Sequence, residues 1–373
     1  MGGAETPLSG FSVALTAARR ADEFETLLRR RGASVVSAAA IAMVPLADDD
    51  RLREVTDDLI AHPPDLLIAT TGIGFRGWIE AADGWGQAES LLDALGRGRV
   101  ISRGPKATGA LRAAGLREEW SPVSESSAEV LTHLTEADLA GKRVAVQLHG
   151  ATDDWDPVPG FLSGLSARGA DVVGVPVYRW EPPSDTAAFD GLIETIALAQ
   201  VDAVTFTSAP AAASTLMRAD ELGLLGGVRR ALTGPVVSYC VGPVTAGPLA
   251  RIGVESVEPE RMRLGALARL VADDLPVRRP TLRVAGHDLG VRASTAVVDG
   301  AVRELSPSGL SLLKMLARRP GDVVSREELL GVLPAAGDDT HAVEAAIARL
   351  RASLGAKEIV ATVVKRGYRL AVD

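Results

Sequence analysis

The 373-residue chain carries 40 Lys+Arg against 48 Asp+Glu and is 47% apolar, which exceeds one ordinary domain and stays within the composition of soluble globular proteins. No apolar run approaches a membrane span, the start lacks the basic flank and apolar core of a secretory signal, and the single cysteine, Cys240, excludes an intramolecular disulfide and suits a reducing cytosol. Charge is uneven: Val277–Asp373 hold 15 Lys+Arg and 11 Asp+Glu, a net of +4, whereas the preceding residues hold 25 and 37, a net of −12, so the tail is a basic module suited to a polyanion partner.

From the start to about residue 275, short β-branched runs alternate with alanine- and leucine-rich helical stretches, the pattern of parallel sheets flanked by helices in an α/β fold. The strands Val13–Thr16, Leu66–Thr70, Val144–Leu148 and Val204–Thr207 each run into a small polar residue or glycine and then a helix start. Such strand ends form natural sites for anionic groups. Words recur at an offset near 137 residues: Gly32–Ser37 with Gly169–Gly174, Asp65–Thr71 with Asp202–Ser208, and Gly104-Pro105 with Gly242-Pro243. Two similar lobes follow from that repeat. Asp48-Asp49-Asp50 reads as a solvated helix cap, and Leu15-Thr16-Ala17-Ala18 lacks the acidic residues of a phosphoacceptor receiver, so no phosphorelay is expected. His149 ends a strand as either a structural or a ligand-sensing histidine. The five histidines are scattered without metal-ligand spacing, so no metal is expected.

The Pro- and Arg-rich segment 276–281 reads as a linker. Beyond it, Leu282–Leu305 alternate as short strands with turn signals at Gly286-His287-Asp288 and Asp299-Gly300. Ser306-Pro307-Ser308 opens a helix that Arg319-Pro320-Gly321-Asp322 stops; Ser325 with Glu328 forms a capping box for a second. Thr340 caps a third, whose Val343, Ile347, Leu350 and Leu354 form an apolar stripe. Its opposite face carries His341, Glu344, Ala345, Ala348, Arg349 and Ala352, and Arg351 flanks the stripe. Two strands then surround Lys365-Arg366-Gly367.

The words Leu305-Ser306-Pro307, Arg319–Arg326, Leu350–Leu354 and Gly367-Tyr368-Arg369 resemble the winged-helix effector domain of OmpR/PhoB-type response regulators over 282–373. The resemblance implies a third helix in the major groove of double-stranded DNA and a Lys365-Arg366 wing in an adjacent minor groove, bound as a homodimer. Arg326, Arg349 and Arg351 are expected to meet phosphates; His341 and Arg349 are candidates for base edges, beside Thr340 and Glu344. The family's usual basic residue at Ala352 or Ser353 and its arginine near Val364 are missing here, which implies weaker, less salt-dependent binding.

The front half, with Thr-Ser-type strand ends and paired Gly-Pro turns, resembles uroporphyrinogen-III synthase over about 8–275. That fold implies one lobe from 8–38 with 181–275, an inserted second lobe from 45–172, and a two-stranded ladder near Ala38–Val44 and Val173–Trp180. The family uses no cofactor. Tyr178 matches its cleft tyrosine and is equally a ladder tyrosine packing between lobes; Thr245 matches its Gly-x-x-Thr turn. Thr16, Thr70, Thr71, Thr108, Thr207, Ser208 and His149, with Arg19, Arg103 and Lys106 as cations, are the implied ligand residues. Ala69–Trp78 and Val146–Gly150 further resemble nitrate/nitrite assimilation regulators of high-GC bacteria. Two functions follow: a cytoplasmic DNA-binding regulator sensing a small anion or tetrapyrrole precursor, or a working synthase that closes hydroxymethylbilane to uroporphyrinogen III. No membrane partner is expected.

Overall fold

In the computed structural model the described residues are 6–46, 49–123, 126–148, 150, 160–333 and 340–373. They fall into two units: unit 1 combines the residues up to Ala40 with Pro183–Asp373, and unit 2 is Ile41–Pro182. The chain opens in unit 1 with β1 (Ser12–Leu15), α1 (Ala21–Arg29) and β2 (Ser34–Ser37). Phe24 and Leu28, one turn apart, form the buried stripe of α1, and Asp22 and Glu23 lie at its positive end.

Unit 2 runs β3 (Ala42–Pro45), α2 (Asp50–Ala61), β4 (Leu66–Ala69), α3 (Gly72–Gly84), α4 (Ala88–Leu95), β5 (Arg99–Ser102), α5 (Pro105–Ala113), α6 (Ser127–His133), β6 (Arg143–Gln147), α7 (Phe161–Ser166), β7 (Asp171–Val175) and β8 (Tyr178–Glu181). β5-β4-β6-β7 form a parallel sheet. Every residue of β4 is buried, as expected for a central parallel strand covered on both faces. Asp49 caps α2 by accepting from Arg51 N at 2.9 Å. β3 and β8 pair antiparallel from Ala42↔Glu181 to Pro45↔Tyr178. This ladder starts later than the sequence suggests: Val173–Val175 instead continue β7, in parallel register with Ala145–Gln147.

The chain returns to unit 1 through α8 (Thr186–Ala197), β9 (Ala203–Phe206), α9 (Ala209–Glu221), α10 (Leu225–Leu232), β10 (Val237–Cys240), α11 (Pro243–Arg251) and α12 (Leu264–Arg278). The parallel order β10-β9-β1-β2 repeats that of unit 2. The registers make β10, β9, β1 and β2 the counterparts of β5, β4, β6 and β7. Cys240 is fully buried, and burial pushes its thiol up to about 12, an inert state. Helix α12 runs on through Pro276 to Arg278, across part of the expected linker, and Arg279 N still bonds Leu275 O at 3.1 Å. A proline near a helix end removes one donor and need not stop the helix.

The rest of unit 1 is an antiparallel meander of β11 (Leu282–Val284), β12 (His287–Val291), β13 (Thr295–Val298) and β14 (Ala301–Glu304), then α13 (Pro307–Ala317), α14 (Arg326–Leu330), α15 (Thr340–Leu354) and the hairpin β15 (Val360–Val363) and β16 (Gly367–Leu370). Ala285-Gly286 and Asp299-Gly300 all have positive φ, the demand of two-residue hairpin turns. The first turn therefore sits ahead of His287, which pairs with Val284. Leu312, Leu316, Val343, Ile347, Leu350, Leu354, Ile359 and Leu370 share one buried core. No helix among the described residues is long and apolar enough to cross a membrane.

Candidate functional site

Helix α15 buries Val343, Ala346, Ile347, Leu350 and Leu354 and exposes His341, Glu344, Ala345, Ala348, Arg349 and Ala352. A formed cap on α14 and a brace from α15 to the hairpin flank that face. The capping box of α14 is formed, with Glu328 N on Ser325 Oγ at 3.2 Å and Ser325 N on Glu328 Oε2 at 2.9 Å. Arg351 donates to Val360 O through Nε at 2.9 Å and Nη2 at 2.5 Å, and to Thr362 Oγ1 at 2.9 Å. Arg351, expected at a phosphate, braces α15 against the hairpin through these bonds. Tyr368 lies buried between Arg351 and Arg326, whose guanidinium carbons stand 5.8 and 5.4 Å from its ring.

Arg326 Nε also lies 3.5 Å from Glu344 Oε1, and His341 Nδ1 3.7 Å from Glu344 Oε2. The Glu344 carboxylate thus stands between the half-buried Arg326 guanidinium and the exposed His341 imidazole. At the hairpin tip Val364, Lys365 and Arg366 are exposed, with Lys365 at φ 59. Gly367 (φ 138) is required: a Cβ there would stand 2.0 Å from Val324 O, because Val324 and Tyr368 exchange backbone hydrogen bonds. The side chain of Thr340 lies outside the described residues.

The remaining candidates divide between the two sheets. In unit 2, Thr70, Thr71, Arg103, Lys106, Thr108 and Tyr178 gather around the carboxyl ends of β4 and β5 and the ladder. Their organiser is Gln147, fully buried at the end of β6, which sequence reasoning passed over. Gln147 Oε1 accepts from Thr70 N at 3.1 Å and Thr71 N at 2.9 Å. Its Nε2 donates to Thr71 Oγ1 at 3.2 Å and Leu148 O at 2.6 Å, while Thr70 Oγ1 donates to Gln147 O at 2.7 Å. Thr71 Oγ1 caps α3 on Gly74 N and lies 3.4 Å from Tyr178 Oη. A Cβ on Gly74 would fall 2.4 Å from Gln147 Nε2, so this packing needs glycine. Tyr178 is 6% exposed and packs edge-on to Trp180. Thr108 Oγ1 meets Ser102 Oγ at 2.6 Å, Arg103 is half-buried and Lys106 is exposed.

Unit 1 holds Thr16, Arg19, Thr207, Ser208 and Thr245. Thr16, the register counterpart of Gln147, donates to Thr205 O at 3.0 Å, and Thr205 Oγ1 donates back to Ala14 O at 3.1 Å. Both hydroxyls stitch β1 to β9. Ser208 caps α9 by accepting from Ala211 N at 3.4 Å; Thr245 is buried in the first turn of α11; Arg19 is exposed. His149 lies outside the described residues, among which no cluster of three or more His, Cys, Asp or Glu is placed to hold a metal.

Residues 22–269 match the family model of uroporphyrinogen-III synthase HemD, and residues 300–370 that of the C-terminal domain of transcriptional regulatory proteins. The uncharacterized protein YjjA of Bacillus subtilis is 29% identical over 264 residues, covering 70% of this chain and 94% of that protein. The transcriptional regulatory protein CutR of Streptomyces coelicolor is 34% identical over 110 residues, covering 29% of this chain and 49% of CutR, so the match spans about half of that relative. A crystal structure of a mutant uroporphyrinogen III synthase from the extremely thermophilic bacterium Thermus thermophilus superposes with a TM-score of 0.55 at 28% identity, covering 69% of this chain and 96% of that one. A synthase-like α/β region is thus fused to a C-terminal winged-helix DNA-binding domain of the OmpR/PhoB type.

Proposed function

We propose a function for a chain that belongs, over residues 22–269, to the uroporphyrinogen-III synthase HemD family: transcriptional regulation, with the synthase-like region sensing a small ligand. The observation that carries this reading is the exposed face of α15 beside an exposed basic wing, both held by the Arg351 brace. In this reading α15 enters a major groove, with His341, Glu344 and Arg349 toward base edges, and Lys365-Arg366 enter the flanking minor groove. Arg326 meets phosphate, and two copies occupy paired half-sites. The protein acts in the cytoplasm.

The ligand is a small anion or tetrapyrrole precursor, taken at strand ends of the α/β region. The resemblance carried by Ala69–Trp78 and Val146–Gly150 favours nitrite as effector and nitrogen-assimilation genes as targets. Sensing demands that the ligand bind two states unequally.

A retained synthase activity is the second reading, favoured by the near-complete coverage of the Thermus fold and by the Tyr178–Thr71 contact. Gln147 weighs against it: its Oε1 occupies the Thr70 and Thr71 amides that a substrate carboxylate would use. Incubating hydroxymethylbilane with the full-length chain and a Tyr178→Phe variant separates the two. Type I product from both supports a sensor; type III product that falls in the variant establishes a synthase.

A further inference from the structure

We infer that the winged-helix domain is latched to the parallel sheet of unit 1 by the buried carboxylate of Asp202, and that this latch sets the domain's position. Asp202 immediately precedes β9 and is 3% exposed. Its Oδ2 accepts from Ser12 N, the first residue of β1, at 2.9 Å. Its Oδ1 accepts from Ala293 N, in the turn between β12 and β13, at 2.8 Å. One side chain thereby ties two strands of the α/β sheet to the meander of the DNA-binding domain.

The surroundings reinforce the tie. Lys314, on α13, donates from Nζ to Ala293 O at 2.7 Å, and Arg292 Nη1 to Arg279 O at 2.9 Å. Arg292 is 6% exposed, and its guanidinium carbon lies 4.1 Å from the centre of the Phe11 ring. Thr295 Oγ1 donates to Gly10 O at 2.9 Å, and a Cβ on Gly10 (φ 79) would fall 2.4 Å from Val297. Burial pushes the Asp202 carboxyl up and the Arg292 and Lys314 cations down, and the Asp202 charge opposes that burial effect at both cations.

Unit 2 contains the same device without the cargo. Asp65 precedes β4 as Asp202 precedes β9, and its Oδ2 accepts from Arg143 N, the first residue of β6, at 2.8 Å. Among the described residues its other oxygen meets Lys142 Nζ at 3.2 Å, a pair in which both side chains are about half exposed. The second oxygen of Asp202 is what unit 1 spends on the DNA-binding domain. The strands that Asp202 holds at their amino ends carry Thr16, Thr207 and Ser208 at their carboxyl ends. A shift of β1 against β9 there reaches the latch across about four residues, roughly 13 Å.

The consequence for DNA rests on the DNA-binding reading; the latch is testable without it. Limited trypsin digestion of the full-length chain reads it directly, because Arg292 is a cleavage site shut inside it while Arg283 is exposed. In the parent protein, cleavage after Arg292 lags far behind cleavage after Arg283. In Asp202→Asn, and in the milder Thr295→Val should the first fail to fold, cleavage after Arg292 rises about tenfold with cleavage in unit 2 unchanged. Asp65→Asn leaves Arg292 protected. Parent cleavage as fast after Arg292 as after Arg283, or no acceleration in either latch variant, overturns the proposal. Affinity for sheared genomic DNA at low salt supplies the second arm: an opened latch changes it about fivefold. Unchanged affinity in an opened variant removes the coupling, whereas loss of binding in every protein, parent included, sinks the DNA-binding reading and leaves the latch standing.

Discussion

The two parallel sheets start from the same plan and diverge at both ends. At the amino end, Asp65 and Asp202 each lock the neighbouring strand, through Arg143 N and Ser12 N. Asp65 then faces solvent, held below the usual carboxylate range by its hydrogen bonds to Arg143 N and Lys142, whereas burial pushes Asp202 up. At the carboxyl end, Gln147 fills the Thr70 and Thr71 amides of unit 2, while its counterpart Thr16 only stitches β1 to β9. A duplicated architecture has thus been divided: one sheet is a mount for the winged helix, the other keeps a preorganised polar cluster beside Tyr178. Burial of the partners, more than their identity, decides what the same aspartate does.

Substitutions at matched positions sharpen this contrast. The largest effect is expected for Asp202→Ala, which strands Arg292, Lys314 and two backbone donors and should cost about 3–5 kcal/mol in urea unfolding. Asp65→Ala should shift the unfolding midpoint only slightly, and equal losses would erase the distinction. Next comes Gln147→Leu, about 2–5 kcal/mol because the buried Thr70 amide and the half-buried Thr71 amide lose their acceptor, against about 1 kcal/mol for Thr16→Val. In the DNA-binding domain, Lys365→Ala should lower the slope of log affinity against log salt by about one with stability unchanged. Arg351→Ala should do the reverse, since its partners lie within the protein.

The smallest effect concerns His287, which bridges Asp299 at 2.6 Å and Glu358 at 3.1 Å. Bonds to both carboxylates, Asp299 first, raise its basicity above the ordinary histidine value. The proton is bound more tightly in the folded state. The bridge is therefore fully stabilising below about pH 6.5 and is lost as pH rises through the higher folded value. The melting temperature of the parent should decline across that window, and His287→Gln should flatten the profile; an identical slope in both would exclude the bridge as its source.

Much of this was legible in the sequence. Apolar runs ending in Thr, Ser or Gly-Pro marked strands and helix starts, and Ser325 with Glu328 marked a cap that is formed. The exposed face of α15 followed from its apolar stripe. What escaped notice depends on contacts across long separations. Gln147 acts on residues 76 and 77 positions away, and Asp202 on residues 190 and 91 positions away. Arg292 and Arg351 look like surface charges in one dimension, because composition carries no record of burial. The Pro- and Arg-rich composition of 276–281 reads as a linker, while packing of Leu267, Val271 and Leu275 carries α12 into it as far as Arg278.

Transcriptional regulation as proposed requires the chain to read DNA by sequence. Selection of fragments from the genome of its own source by the full-length protein, with an Arg349→Ala, Lys365→Ala double variant in parallel, tests it most directly. A small set of recovered fragments sharing paired half-sites about one helical turn apart, depleted in the double variant, is expected. Recovery without sequence preference, or equal recovery by both proteins, would contradict it.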